Sequence, residues 1–195
     1  MHLRAVLAAA VLILASLPAR AETYRVDLIV FADRYAAGET GAPARPVGTD
    51  GIALDDGAAL SAVGIQLLPD SSFGLQEQWN RLRNSARFEP LIRLAWTQTD
   101  PPAENGPRLL LRYGQSLTVA DPEGYSSHLV SPVQGTVALL LSRYLHLDAD
   151  LRYTTPGGDG YVQYPLRERR RMRRDELHHL DSPRLGILAR VSRAS

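Results

Sequence analysis

Tyr24-Arg25-Val26-Asp27-Leu28-Ile29-Val30-Phe31 alternates apolar and polar residues at first and then turns fully apolar, as a strand does when it enters a sheet with both faces partly covered. Ala36 to Gly57 follows, with five Gly and two Pro in 22 residues and almost no aliphatic side chains. Such a segment cannot bury enough surface to offset the entropy of ordering, and it reads as a mobile surface loop. Leu75, Trp79 and Leu82 stand at i, i+4 and i+7, which predicts a helix around 75–86 with Ser71 or Ser72 available to cap it. Phe88 to Trp96 returns to period two, and a Pro- and Gly-containing loop from Asp100 to Pro107 ends it. Arg108 to Val119 and Val133 to Tyr153 read as longer strands. Thr155-Pro156-Gly157-Gly158-Asp159-Gly160 is a hairpin turn into Tyr161 to Arg173, and Leu185 to Val191 gives a last strand. Several strands, short or Gly-rich connections and one clear helix predict an α+β domain built on an antiparallel sheet of about five to seven strands, with long surface loops.

The period-two pattern is sharpest near the C-terminus. Between Tyr161 and Arg174, Val162, Tyr164, Leu166 and Met172 are apolar at even positions, while Arg167, Arg169, Arg171 and Arg173 fill odd ones. A strand here carries four guanidinium groups on one face, about 6.6 Å apart. On the preceding segment Leu145, Leu147, Ala149, Leu151 and Tyr153 form the apolar face and Tyr144, His146, Asp148, Asp150 and Arg152 the polar one. A one-residue slip would set apolar against polar, so odd positions of one strand should pair with even positions of the other. Asp148 and Asp150 then fall opposite Arg167 and Arg169. Two readings stay open: a solvated face of cross-strand ion pairs, or a ligand site. In the second, Arg171 and Arg173 are the main anionic contacts, Tyr144 and His146 support them, and Arg169 lies alongside. Guanidinium forks hold carboxylates bidentately, and an aromatic ring can stack on a sugar face.

The first 21 residues change the picture of where this happens. Arg4 ends a short positive stretch, Ala5 to Leu17 is a small-apolar run, and Ala19-Arg20-Ala21 fits an Ala-x-Ala cleavage site. The pattern predicts a cleaved secretory signal at residues 1–21, a single α+β domain at 22–195 and a periplasmic location. No later segment has the length and apolarity of a transmembrane helix. All 22 basic residues of the 195 are Arg, and there is no Lys and no Cys. Schiff-base, phosphate-loop Lys and thiolate chemistry are thereby excluded. From Glu22 to Leu166 there are 11 Arg and 17 acids, a net −6, whereas Arg167 to Ser195 holds 9 Arg and 4 acids, a net +5. Export argues against nucleic acid as the partner of that basic segment and leaves anionic envelope polymers, lipid head groups or an acidic protein face.

The chemistry-bearing residues form no catalytic set. Asp148 and Asp150 have the spacing of a glycosidase pair, but nearby Arg would lower both carboxyl pKa values, against the need of a general acid. His178 and His179 point to opposite faces if extended, so no metal site is expected. Gly114-Gln115-Ser116-Leu117-Thr118 lacks the second Gly of a nucleophile elbow. No cofactor is expected.

Arg170-Arg171-Met172-Arg173-Arg174-Asp175-Glu176-Leu177-His178-His179-Leu180-Asp181-Ser182-Pro183-Arg184-Leu185-Gly186 resembles the closing block of the CsiV family of exported peptidoglycan-binding proteins. Arg143 to Leu151, Ala95-Trp96-Thr97-Gln98 and the Tyr24 to Phe31 strand resemble three further blocks of that family. Arg174, His179, Ser182, Thr97 and Leu185 depart from its pattern. The resemblance implies a non-catalytic periplasmic protein that binds peptidoglycan. It also implies support of cell-wall assembly and cell shape through an outer-membrane lipoprotein activator of a class A penicillin-binding protein. A protein-docking adaptor without glycan binding, or a wall hydrolase, are the alternatives. Met172, Glu176, His178, Asp181, Pro183 and Gly186 also admit a structural role, as parts of a strand, a tight corner and a return strand.

Overall fold

The computed structural model describes residues 21–36, 41–46, 48, 50–120, 125–158 and 160–194. The predicted export signal lies outside the described residues up to Ala21. Strand β1 (Thr23–Asp33) is buried on both faces along most of its length, as its apolar run predicts. The side chains of Tyr24, Val26, Leu28, Val30 and Ala32 enter the main core. Ile29 and Phe31, on the opposite face, enter a smaller core with Phe73, Leu75 and Leu82.

The remaining elements follow in chain order: β2 (Ala42–Pro43), β3 (Ile52–Ala53), α1 (Gly57–Ala62), β4 (Ile65–Leu67), α2 (Gln76–Arg83), β5 (Phe88–Thr99), β6 (Leu109–Tyr113), β7 (Leu117–Ala120), β8 (Ser127–Val130), β9 (Val133–Leu141), β10 (Leu145–Gly157), β11 (Gly160–Met172), β12 (Leu177–Asp181) and β13 (Leu185–Arg193). The class is α+β with mainly antiparallel strands, and the strands divide among several sheets. One has the order β12-β13-β1-β5-β4, a second β2-β11-β10-β9-β6-β3, and β7 and β8 pair alone. Among the described residues only β3 and β6 run parallel. The main core forms where Leu147, Leu151, Leu166 and Met172 of the second sheet meet Val26, Leu28, Trp96 and Ile187 of the first.

Four details differ from the sequence expectation. Val133–Tyr153 is two strands, β9 and β10, reversing through Ser142-Arg143-Tyr144; the turn has no Gly or Pro, so nothing in the pattern marks it. The segment Arg108–Val119 breaks into β6 and β7 at Gly114. Leu177–Asp181 is a strand paired to β13, although its mixed polarity hid it. Neither Ser71 nor Ser72 caps α2, which begins after Leu75 without a side-chain cap; Ser72 Oγ donates instead to the Pro69 carbonyl. The helix itself falls inside the predicted window. Within the span 36–57, residues 37–40, 47 and 49 lie outside the described residues, while β2 pairs with β11 and β3 with β6.

Asp27 anchors the segment before α2 to one face of β1. Its carboxylate is 1% exposed and accepts Arg25 Nε at 2.9 Å, a second Arg25 nitrogen at 2.8 Å and the Gly74 amide at 2.7 Å. Arg190 on β13 lies 3.8 Å away, and its guanidinium donates to the Gly74 carbonyl at 2.9 Å. The segment leading into α2 is thus latched onto the first sheet by a buried carboxylate whose two guanidinium partners stay partly exposed.

Candidate functional site

The β10–β11 pairing has the odd-to-even register that the polarity pattern requires: His146 opposite Arg171, Asp148 opposite Arg169 and Asp150 opposite Arg167. Asp148 accepts Arg169 at 2.8 Å and Arg108 at 3.3 Å. Asp150 pairs with Arg167 at 3.2 Å and with Arg152. The middle of the stripe is therefore internally neutralised, and Arg169 is committed to Asp148.

The stripe changes character at its end. Where β11 runs out beside the β9–β10 turn, a solvent-open cleft of about 420 Å³ is lined by Arg143, Arg171, Arg173, Arg174 and Arg193, with Tyr24, Tyr144 and Glu22. Five guanidinium groups face a single carboxylate. Three pieces of backbone bring them together. The β9–β10 turn carries Arg143 and Tyr144, and the end of β11 carries Arg171, Arg173 and Arg174. The antiparallel pairing of Tyr24 with Arg193 brings in the ends of β1 and β13.

Each guanidinium is held differently. Arg171 lies flat over the Tyr144 ring, 3.4 Å from its centroid, and Arg143 approaches the same ring at 5.4 Å. Cation–π stacking fixes the plane of a guanidinium and leaves its N–H edge free. Arg173 has only a loose contact with Glu176, at 3.8 Å. Arg193 pairs with Glu22, whose carboxylate also takes the Tyr24 hydroxyl hydrogen bond. That hydroxyl, with Arg193 beside it, holds the Glu22 carboxyl below the usual carboxylate range, while burial pushes the Tyr24 phenol up. Among the described residues no carboxylate lies within 4 Å of Arg143, Arg171 or Arg174.

Of the residues singled out in the sequence, Arg171, Arg173 and Tyr144 meet in this cleft. His146 stands behind it, with Nδ1 2.9 Å from the Tyr144 carbonyl oxygen, where it positions the turn. Arg169 lies outside it. Arg143, Arg174, Arg193, Glu22 and Tyr24 line the cleft without having been singled out. The other residues of the closing block build the corner beneath it. Met172 is buried, His178 Nε2 accepts the Arg173 amide at 2.9 Å, and Glu176 faces Arg173. Asp181 closes β12 opposite Gly186, Pro183 sits in the turn that follows, and a Cβ at Gly186 would lie 2.3 Å from the Phe31 ring. Among the described residues no three His, Asp or Glu side chains gather to hold a metal ion, and no helix is long and apolar enough to cross a membrane.

A family model described as peptidoglycan-binding protein, CsiV, matches residues 3–194, nearly the whole chain. The chain belongs to the CsiV family. No curated protein and no solved structure matches it significantly. The CsiV description fits a site with this chemistry: the cleft offers planar donors for anionic groups and an aromatic edge, with neither a nucleophile–base pair nor a raised carboxyl in its lining.

Proposed function

We propose that the protein is a non-catalytic, exported peptidoglycan binder whose arginine-lined cleft holds carboxylates of the peptide stems. The observation that carries this reading is the convergence of five Arg on one cleft, three of them with no carboxylate within 4 Å among the described residues. The same reading includes support of cell-wall assembly through an outer-membrane lipoprotein activator of a class A penicillin-binding protein, a role that rests on what the family resemblance implies. Retention on purified sacculi tests the binding half. Arg171→Ala/Arg173→Ala should reduce retention about tenfold, the scale of losing charge-assisted hydrogen bonds to carboxylate. Unchanged retention would remove both residues from the site. Salt-sensitive binding to the lipoprotein with no retention on sacculi would favour a docking adaptor instead.

Export with cleavage after Ala21 belongs to the same reading. The Glu22 nitrogen already lies 2.9 Å from Asp100 Oδ1, and the Asp100 amide donates back to the Glu22 carbonyl at 2.9 Å. A new α-ammonium on Glu22 would find a counterion in place. N-terminal sequencing of protein recovered from the envelope should begin at Glu22; an uncleaved start would overturn this.

A further inference from the structure

From the number and placement of the unpaired guanidinium groups we infer that the cleft selects un-cross-linked peptide stems, those that retain a free terminal carboxylate. The inference rests on the peptidoglycan reading above and specifies which part of the polymer the site takes. Arg193 is claimed by Glu22, which Arg174 also feels at longer range, and Arg173 leans on Glu176, so the cations with no carboxylate within 4 Å among the described residues are Arg143, Arg171 and Arg174. They stand on two separate pieces of chain, the β9–β10 turn and the end of β11 with the residue beyond the next. One carboxylate satisfies one fork in a bidentate pair. Three forks on two walls therefore match a ligand that presents at least two anionic groups.

Peptidoglycan chemistry then decides which ligand that is. The amide-substituted, N-acetylated glycan strand carries no charge, so the negative groups are the carboxylates of the stems. Cross-linking transfers the penultimate carbonyl of a donor stem from the terminal residue to an amine of its neighbour: the terminal peptide bond breaks, a new amide forms, and the released residue takes its carboxylate away, so the donor loses an anion. A cleft with several open cations and one carboxylate of its own loses a favourable contact on every such stem. Arg171 is already fixed against Tyr144, so its fork needs no reordering to take the terminal group, and that pre-organisation favours the smaller, charged stem end.

The test uses the mature protein and three probes: a disaccharide-tetrapeptide, the same compound with its terminal carboxyl converted to the amide, and an uncharged N-acetylglucosamine oligosaccharide. Titration calorimetry at fixed salt should show the amide binding about tenfold or more weakly than the acid, and the uncharged oligosaccharide more weakly still. Arg143→Gln/Arg171→Gln/Arg174→Gln alters three exposed positions, so the fold should survive, as circular dichroism would verify. The variant should bind acid and amide alike. Equal affinity of the native protein for acid and amide, or undiminished discrimination by the variant, would overturn the inference while leaving sacculus binding intact. Failure of the native protein to bind sacculi at all would instead overturn the peptidoglycan reading. Tighter binding to anionic phospholipid vesicles than to the acid probe would assign the cleft to lipid.

Discussion

Asp27→Ala is expected to lower the unfolding free energy by about 3–5 kcal/mol, the range found when one member of a buried ion pair is removed. The carboxylate accepts from both nitrogens of the Arg25 fork and from the Gly74 amide. Its loss strands an amide donor and leaves the partly exposed Arg25 and Arg190 guanidinium groups without the carboxylate between them. Urea titration measures the difference directly, and the melting temperature should fall on the order of 10 °C for a chain of this size. Asp27→Asn separates the two contributions. An amide oxygen can still accept from Gly74 but cannot balance two guanidinium groups, so Asn should recover part of the loss. If Ala and Asn are equally harmless, the latch contributes nothing. Damage should centre on the 70–75 segment and α2, because Asp27 and its partner Arg25 bond that segment at Gly74 and Ser72.

None of that latch is legible in the sequence. Asp27 reads as one polar position in an alternating strand beside Arg25; its other partners lie 47 residues on at Gly74 and on the last strand at Arg190. The candidate site divides in the same way. The period-two alternation in 145–173 dictates which residues of β10 and β11 can face each other, and Asp148–Arg169 and Asp150–Arg167 follow from polarity alone. The opposite wall of the cleft depends on two things that period and composition do not report. One is a reversal at Ser142-Arg143-Tyr144, made without Gly or Pro. The other is the pairing of the first and last strands, which brings Glu22 within a salt bridge of Arg193 across 171 residues. Long-range antiparallel closure is set by burial of the whole sheet, not by any local preference. Arg143 and Arg174 were visible as charges but had no address.

The position of the cleft follows from that closure. Both sheets present their edges where β11 ends, and the corner from Arg173 to Glu176 is tied to β13 by the Asp175 amide bonding the Val191 carbonyl at 2.8 Å. Arg173 and Arg174 are therefore displayed on a turn anchored to the same strand that supplies Arg193. The block recognisable by its sequence thus both builds the corner and displays guanidinium groups at the cleft. His178 and Gly186 build the corner, and the corner aims the guanidinium groups.

Gly135→Ala should be as damaging as loss of the latch, through geometry and not charge. Gly135 has φ +149°, a region open essentially to glycine alone. A Cβ there would lie 2.1 Å from the Asp150 carbonyl oxygen and 2.7 Å from Leu151 Cα. Those are backbone atoms of the neighbouring strand, so no side chain can swing aside. The contact sits where β9 is paired on both sides, to Leu151 of β10 and Leu111 of β6, and relief requires moving one strand off another. Overpacking and backbone strain together predict a loss of about 3 kcal/mol or more. Gly57→Ala is the internal control: nothing lies within 4 Å of its Cβ position, it begins α1, and the change should be neutral or stabilising by up to about 1 kcal/mol. Because β10 carries Asp148, Asp150 and one arm of the turn with Tyr144, a Gly135→Ala protein that still folds should also retain less on sacculi. Full retention at normal stability would show that β9 and β10 separate more easily than their pairing implies.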